Sequence, residues 1–181
     1  VRYLSLTDFI VGSVFILWLA VTAAAFYWFA NKQLVDFDPN NQLAAVIAQS
    51  AQQTKFQDAL KAKLLASADS LANRAFHISS ARCNCNIQVN EHLNILEPWL
   101  KNKGIQLQRL DYASVRDFIP ASPAIIVFNQ ASELIYLGPY SSGYLCNSNT
   151  SIVELAVAPA LTLNNVPPMI QNKTQGCYCY S

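Results

Sequence analysis

The 181-residue sequence predicts an α/β domain held behind a single N-terminal membrane-spanning helix. Three observations carry that prediction. Phe9 to Ala30 runs 22 residues without a charge. From Ala75 onward, short strand patterns alternate with helical ones. All five cysteines lie beyond residue 82, as suits one oxidised domain.

The N-terminal helix comes first. Asp8 precedes the apolar run, Lys32 follows it, and only Gly12, Ser13 and Thr22 interrupt it. At about 1.5 Å per residue such a helix is roughly 33 Å long, enough to cross a hydrocarbon core. Tyr27, Trp28 and Phe29 end it, where amphipathic rings favour the membrane–water interface. A cleaved signal peptide is the rival reading, since Ala23-Ala24-Ala25 offers small residues. The run is long for that, and bulky aromatics follow the alanines. Arg2 lies before the helix, and Asp36 and Asp38 after Lys32, which favours the N-terminus inside and the domain outside. Residues 1–32 are therefore expected to be a transmembrane anchor.

Asp36 to Gln42, with Pro39, reads as the exit from the membrane. Residues 43–74 look helical, with one stripe through Leu43, Ile47 and Ala51 and another through Phe56, Leu60, Leu64 and Leu71. Residues 33–74 are thus a helical stalk or helices packed on the domain. Residues 75–181 form the domain proper, with a cysteine-bearing tail. Ala75–Ile78 is a strand candidate, and Ser79–Asn86 a loop carrying Cys83 and Cys85. Residues 87–103 are helical through Val89, Leu93, Leu96 and Leu100. Pro98 should kink that helix or end its first part, and Gly104 should cap it. Ile105–Leu110 is a second strand. Ala124–Phe128 is continuously apolar, as a strand buried on both faces would be. Asn129–Ser132 turns the chain into a return strand, Glu133–Leu137. Ser151 and Glu154 resemble a capping box opening a further helix. The tail from Asn164 reads as loop and ends in Cys177-Tyr178-Cys179.

Strand, helix, strand, hairpin, helix describes a parallel pair joined by a helix, followed by an antiparallel hairpin. With Cys83 and Cys85 just before a helix, and Ser122-Pro123 opening a buried strand, the chain resembles the thioredoxin superfamily. The resemblance implies a thioredoxin-like domain, a cis bond before Pro123 and a Ser122 that touches the cysteine site. The Cys-x-Cys before a helix, Gly138-Pro139-Tyr140-Ser141 followed by Cys146, and the terminal Gly176-Cys177-Tyr178-Cys179 are also similar to a family of membrane-anchored thioredoxin-like proteins of gammaproteobacteria. That likeness covers roughly residues 75–180 and implies a fold and a location, not a reaction. It places the chain in a bacterial inner membrane with the domain in the periplasm. Cys-Asn-Cys replaces the Cys-x-x-Cys of thioredoxin, and no Trp stands immediately before it, which argues against ordinary dithiol reductase activity.

A thiolate at a helix N-terminus is stabilised by unpaired N–H groups and the helix dipole. Cys83 is thus expected to attack, with Cys85 as its partner. A Cys83–Cys85 ring would be tight and oxidising. Cys146 would resolve a mixed disulfide, supply a ligand or bridge to the tail. Cys177 and Cys179 would form a second pair or structural bridges. A run of at most ~50 Å separates Leu161 from Cys177, ample for their return to the active edge. The same five cysteines could instead hold Cu(I) or an iron–sulfur cluster, since soft thiolates select such ions. A redox-silent accessory subunit is the third reading.

His92 could face the sheet edge, but more readily faces solvent or is satisfied in the core, and His77 reads as structural. No nucleophile elbow for hydrolysis is present, and five glycines leave no phosphate-binding loop. The net charge of +1, without a basic patch, argues against nucleic acid. Partners are expected to be membrane-bound or periplasmic proteins. The sequons at Asn149 and Asn172 are short enough to arise by chance.

Overall fold

The structure, a computed structural model, describes residues 6–32, 34–143, 151–163 and 166–180. It divides into two units, residues 1–34 and 35–181. The first contains α1 (Leu6–Lys32). Its stretch Phe9–Phe29 is long and apolar enough to cross a membrane, and none of it is buried within the protein. The hydroxyls of Ser13 and Thr22 donate to the carbonyls of Phe9 and Trp18, one turn back, at 2.9 and 2.8 Å. Both polar groups are thereby satisfied inside the helix, as an apolar solvent requires.

In the second unit β1 (Val35–Asp36), α2 (Gln42–Ile47) and α3 (Ser50–Leu65) lead into β2 (Arg74–Ser79) and α4 (Asn86–Asn102). Then follow β3 (Gln106–Asp111), β4 (Ala124–Phe128), β5 (Leu134–Gly138), α5 (Val153–Ala160), β6 (Met169–Ile170) and β7 (Gln175–Gly176). Five strands form a mixed sheet in the order β3-β2-β4-β5-β6. The outer pairs β2–β3 and β5–β6 are parallel, and the two central pairings are antiparallel.

Alternation along the strands splits the core into two layers. Ala75, Ile125 and Val127 point to the face covered by Val89, Leu93, Leu96 and Leu100 of α4 and by Val153 and Val157 of α5. Phe76, Ile78, Ala124, Ile126 and Phe128 point to the other face. There they meet Leu43, Leu60, Leu64, Leu71 and Phe37. The helical stretch after the anchor is therefore packed on the sheet. It is broken at Ala48–Gln49 into two helices and ends at Leu65, earlier than its apolar stripe predicts.

Asp38 explains how that layer starts. Its buried carboxylate accepts from the backbone N–H groups of Gln42, Leu43 and Ala44 at 2.7–3.0 Å. Three otherwise orphaned donors of α2 are thus satisfied by one anion.

Pro98 does not end α4, and one expected cap is absent. Pro98 lies inside an unbroken α4, whose flanking Leu96 and Leu100 are fully buried and hold the helix on the sheet. The Ser151/Glu154 capping box does not form. Ile152 takes the cap position without a side-chain bond, and Ser151 instead bridges Ser141 on the neighbouring segment. Gly104 does follow α4 with a left-handed φ of 77°, and its N–H donates to Lys101.

Candidate functional site

The site begins where β2 ends. A tight turn follows it, in which the Cys83 N–H donates to Ser80 O and the Asn86 N–H to Cys83 O. Asn86 Nδ2 also donates to Ser80 O at 2.8 Å. Cys85 is the cap residue of α4, so both sulfurs sit at a helix N-terminus.

The tail returns to this edge. β7 pairs antiparallel with β1, matching Val35 to Gly176 and Asp36 to Gln175. Tyr178 is buried edge-on against Phe37, with ring centroids 5.2 Å apart. Its hydroxyl donates to Ser141 O at 3.1 Å. Cys179 then pairs with Ser122 in both directions: Ser122 N–H to Cys179 O at 2.8 Å and Cys179 N–H to Ser122 O at 2.7 Å. The bond from Ser122 to Pro123 is cis. Ser122 O lies 3.7 Å from Cys83 Sγ, so Ser122 touches the cysteine site.

The four cysteines meet as two nested disulfides, Cys83–Cys179 and Cys85–Cys177. Their Cα atoms are 5.8 and 5.5 Å apart, within the span of ordinary bridges. The expected Cys83–Cys85 ring is absent, because each cysteine of the first motif bridges outward to the tail. The oxidising character expected of that tight ring therefore has no basis here. Two antiparallel segments with equal Cys-x-Cys spacing can bridge twice only in this order, first to last. Cys83, Cys85 and Cys177 are buried, while Cys179 is half-buried and is the most exposed residue of the four. Cys179 Sγ lies 3.9 Å from Cys85 Sγ. The sulfurs of Cys83, Cys85 and Cys179 all lie within 4.8 Å of one another, close enough to share one metal ion once both bridges are reduced. Cys146 falls outside the described residues.

The two histidines are tied into a buried network instead. His77 Nδ1 and the Tyr140 hydroxyl are 2.6 Å apart. The ring of Tyr140 also meets His92 edge-on at 5.7 Å. His92 Nε2 faces the Glu154 carboxylate at 3.4 Å, the contact that takes Glu154 away from the helix cap. Burial, with a smaller contribution from the nearby Arg109 guanidinium, lowers the His77 pKa to about 4. Burial likewise keeps the Tyr140 hydroxyl protonated, well above its ordinary range. Burial keeps His77 and Tyr140 neutral; His92 is also a core residue, with Nε2 facing Glu154 and a buried Nδ1 that has no hydrogen-bond partner among the described residues.

A polar cleft lined by Asn73, Asn102, Lys103, Asn129 and Glu133 lies at the opposite end of β2 from the cysteines. It contains no cysteine or histidine among the described residues.

Sequence reasoning missed the two-residue strands β1 and β7 and the pairing of Cys179 with Ser122. Such short pairings leave no periodic pattern; equal motif spacing was the one signal available.

Among known proteins, residues 49–181 match the family described as a domain of unknown function (DUF6436). No curated protein and no solved structure matches the chain.

Proposed function

The chain belongs to the DUF6436 family, and from its cysteine centre we propose that it is a membrane-tethered, extracytoplasmic thiol–disulfide oxidoreductase of thioredoxin-like fold. One observation carries the reading. Two Cys-x-Cys motifs from opposite ends of the domain converge as nested bridges at a helix N-terminus, beside Ser122. A purely structural staple needs no second bridge beside it.

The reaction runs from the half-buried sulfur inward. A partner thiolate attacks Cys179 Sγ, and the Cys83–Cys179 bond breaks. Cys83 leaves as a thiolate stabilised by the N-terminus of α4. The partner's second thiol then attacks the mixed disulfide and frees Cys179. The partner dithiol has become a disulfide, and the bridge has become two thiols. In the reverse direction the Cys179 thiolate attacks the partner disulfide, and Cys83 is the thiolate that attacks the resulting mixed disulfide and re-forms Cys83–Cys179. Pro123 and Ser122 shape the groove in which the reacting segment lies. Cys146 would resolve mixed disulfides that the partner's second thiol does not. The anchor α1 would hold the domain on the periplasmic side of a bacterial inner membrane, where its partners would be membrane-bound or periplasmic proteins.

The test is exchange between the full chain in detergent micelles and a reduced, unfolded protein substrate. The chain should oxidise the substrate's thiols, and Cys83→Ser with Cys85→Ser should abolish this. Full exchange by the double variant would refute the reading. A wild-type chain that never exchanges would favour the accessory subunit.

One observation favours a second reading. The three clustered sulfurs would, when reduced, offer soft thiolate ligands that suit Cu(I). An iron–sulfur cluster would need the fourth ligand, Cys177 or Cys146. Stoichiometric metal in the reduced chain, measured beside thiol counts, would support it.

A further inference from the structure

Nested pairing leaves sulfurs of different bridges in contact. Cys179 Sγ is 3.9 Å from Cys85 Sγ, the near end of the other disulfide. Cys179 is also held there by more than its own bridge. Its backbone is bonded in both directions to Ser122. The preceding Tyr178 is buried on Phe37 and bonded to Ser141 O. When Cys83–Cys179 opens, Cys179 therefore stays beside Cys85. An intramolecular thiolate so placed reacts at a high effective concentration.

We propose that the two bridges form a relay, in which reduction entering at Cys179 is passed to the buried Cys177. The Cys179 thiolate attacks Cys85 Sγ. A Cys85–Cys179 bond forms, the Cys85–Cys177 bond breaks, and Cys177 leaves as a thiolate that takes up a proton. No electrons enter or leave in this step. The two electrons that opened the first bridge came from a partner dithiol, released as a disulfide. The product carries thiols at Cys83 and Cys177 and one bridge, Cys85–Cys179. A second partner dithiol can then open that bridge at the same half-buried Cys179, so the centre holds four electrons behind one entry point.

Cys179 is thus the sulfur through which both bridges are reached, and Cys177 is the inner terminus. Cys177 follows Gly176, which pairs with Val35 in the strand just after the anchor. This inference rests on the exchange reading above for the source of its electrons. The step itself needs no partner protein.

The experiment starts from the full chain in detergent, with Cys146→Ser to remove the fifth thiol. One equivalent of dithiothreitol is added, thiols are quenched with acid and N-ethylmaleimide, and labelled and bridged peptides are mapped over time. The relay predicts label at Cys177 as well as Cys179 in the two-electron-reduced chain, with both Cys85–Cys177 and Cys85–Cys179 bridges present. Label confined to Cys83 and Cys179 at every time would overturn it. A second variant tests the same step without reductant. Adding Cys83→Ser leaves Cys179 free beside Cys85–Cys177, and the label should again divide between Cys177 and Cys179; label on Cys179 alone overturns the relay. A chain that relays but never oxidises a protein substrate refutes only the oxidoreductase reading. One that oxidises substrate with label confined to Cys179 refutes only the relay.

Discussion

The nested bridges make a specific prediction about stability. Cys83–Cys179 closes a loop with a sequence separation of 96, and Cys85–Cys177 one of 92. Taken singly, a bridge across a loop of about 100 residues is worth about 4.7 kcal/mol of unfolded-chain entropy. The two loops are nearly the same loop, however. With either bridge intact, the other closes a ring of only about 5 residues, worth about 2 kcal/mol on the same relation. Replacing one pair by serines should therefore cost about 2 kcal/mol, and replacing both about 7 kcal/mol. The excess over additivity is about 2.5 kcal/mol. Losing both bridges would remove a large share of the roughly 5–15 kcal/mol that typically separates a folded domain from its unfolded chain. The assay is urea unfolding of the full chain in detergent, in a Cys146→Ser background, followed by Trp99 fluorescence against the constant signal of Trp18 and Trp28 in α1. Single replacements that each cost about 4.7 kcal/mol and simply add would refute the nested-loop reasoning.

Three further predictions follow from named contacts. Asp38→Ala leaves three N–H groups of α2 without their anion and should lower stability by about 2 kcal/mol, read as a reduced urea midpoint. Leu64→Ala empties a fully buried position under the sheet and should cost about 3 kcal/mol by the same measurement, whereas Leu155→Ala, on the exposed side of α5, should cost far less. His77 has a folded pKa lowered from 6.5 to about 4, so its contribution is fully present above pH 6.5 and is lost as pH falls from there toward 4. That loss amounts to roughly 3 kcal/mol of stability, and His77→Phe should flatten the acid limb of the stability profile.

Much of this molecule was legible before its structure, for physical reasons that differ by element. α1 announced itself by length and lack of charge. β4 did so by an unbroken apolar run that only a doubly covered strand tolerates. Gly104 marked the end of α4 because that turn needs a positive φ. Other features were silent. Asp38 looked like part of a polar exit because a carboxylate bonded to backbone N–H groups has the same sequence as a solvated one. Glu154 looked like a cap because the competing partner, His92, lies 62 positions away. At the site, the cysteines and Ser122-Pro123 were visible as chemistry, but their pairing was not. The assumption that neighbours in sequence pair with each other hid the nested connection, which depends on a β1–β7 ribbon two residues long.

An exchanging centre differs from an inert one in a single measurable respect, whether its bridges open while the domain stays folded. The direct measurement is equilibration of the full chain in detergent with dithiothreitol redox buffers, without denaturant, reading thiol count by alkylation and intact mass while Trp99 fluorescence reports the fold. The exchange mechanism predicts that thiols appear and disappear reversibly, in steps of two, with the domain folded throughout. Bridges that stay closed until urea unfolds the domain would contradict it and leave the four cysteines as staples.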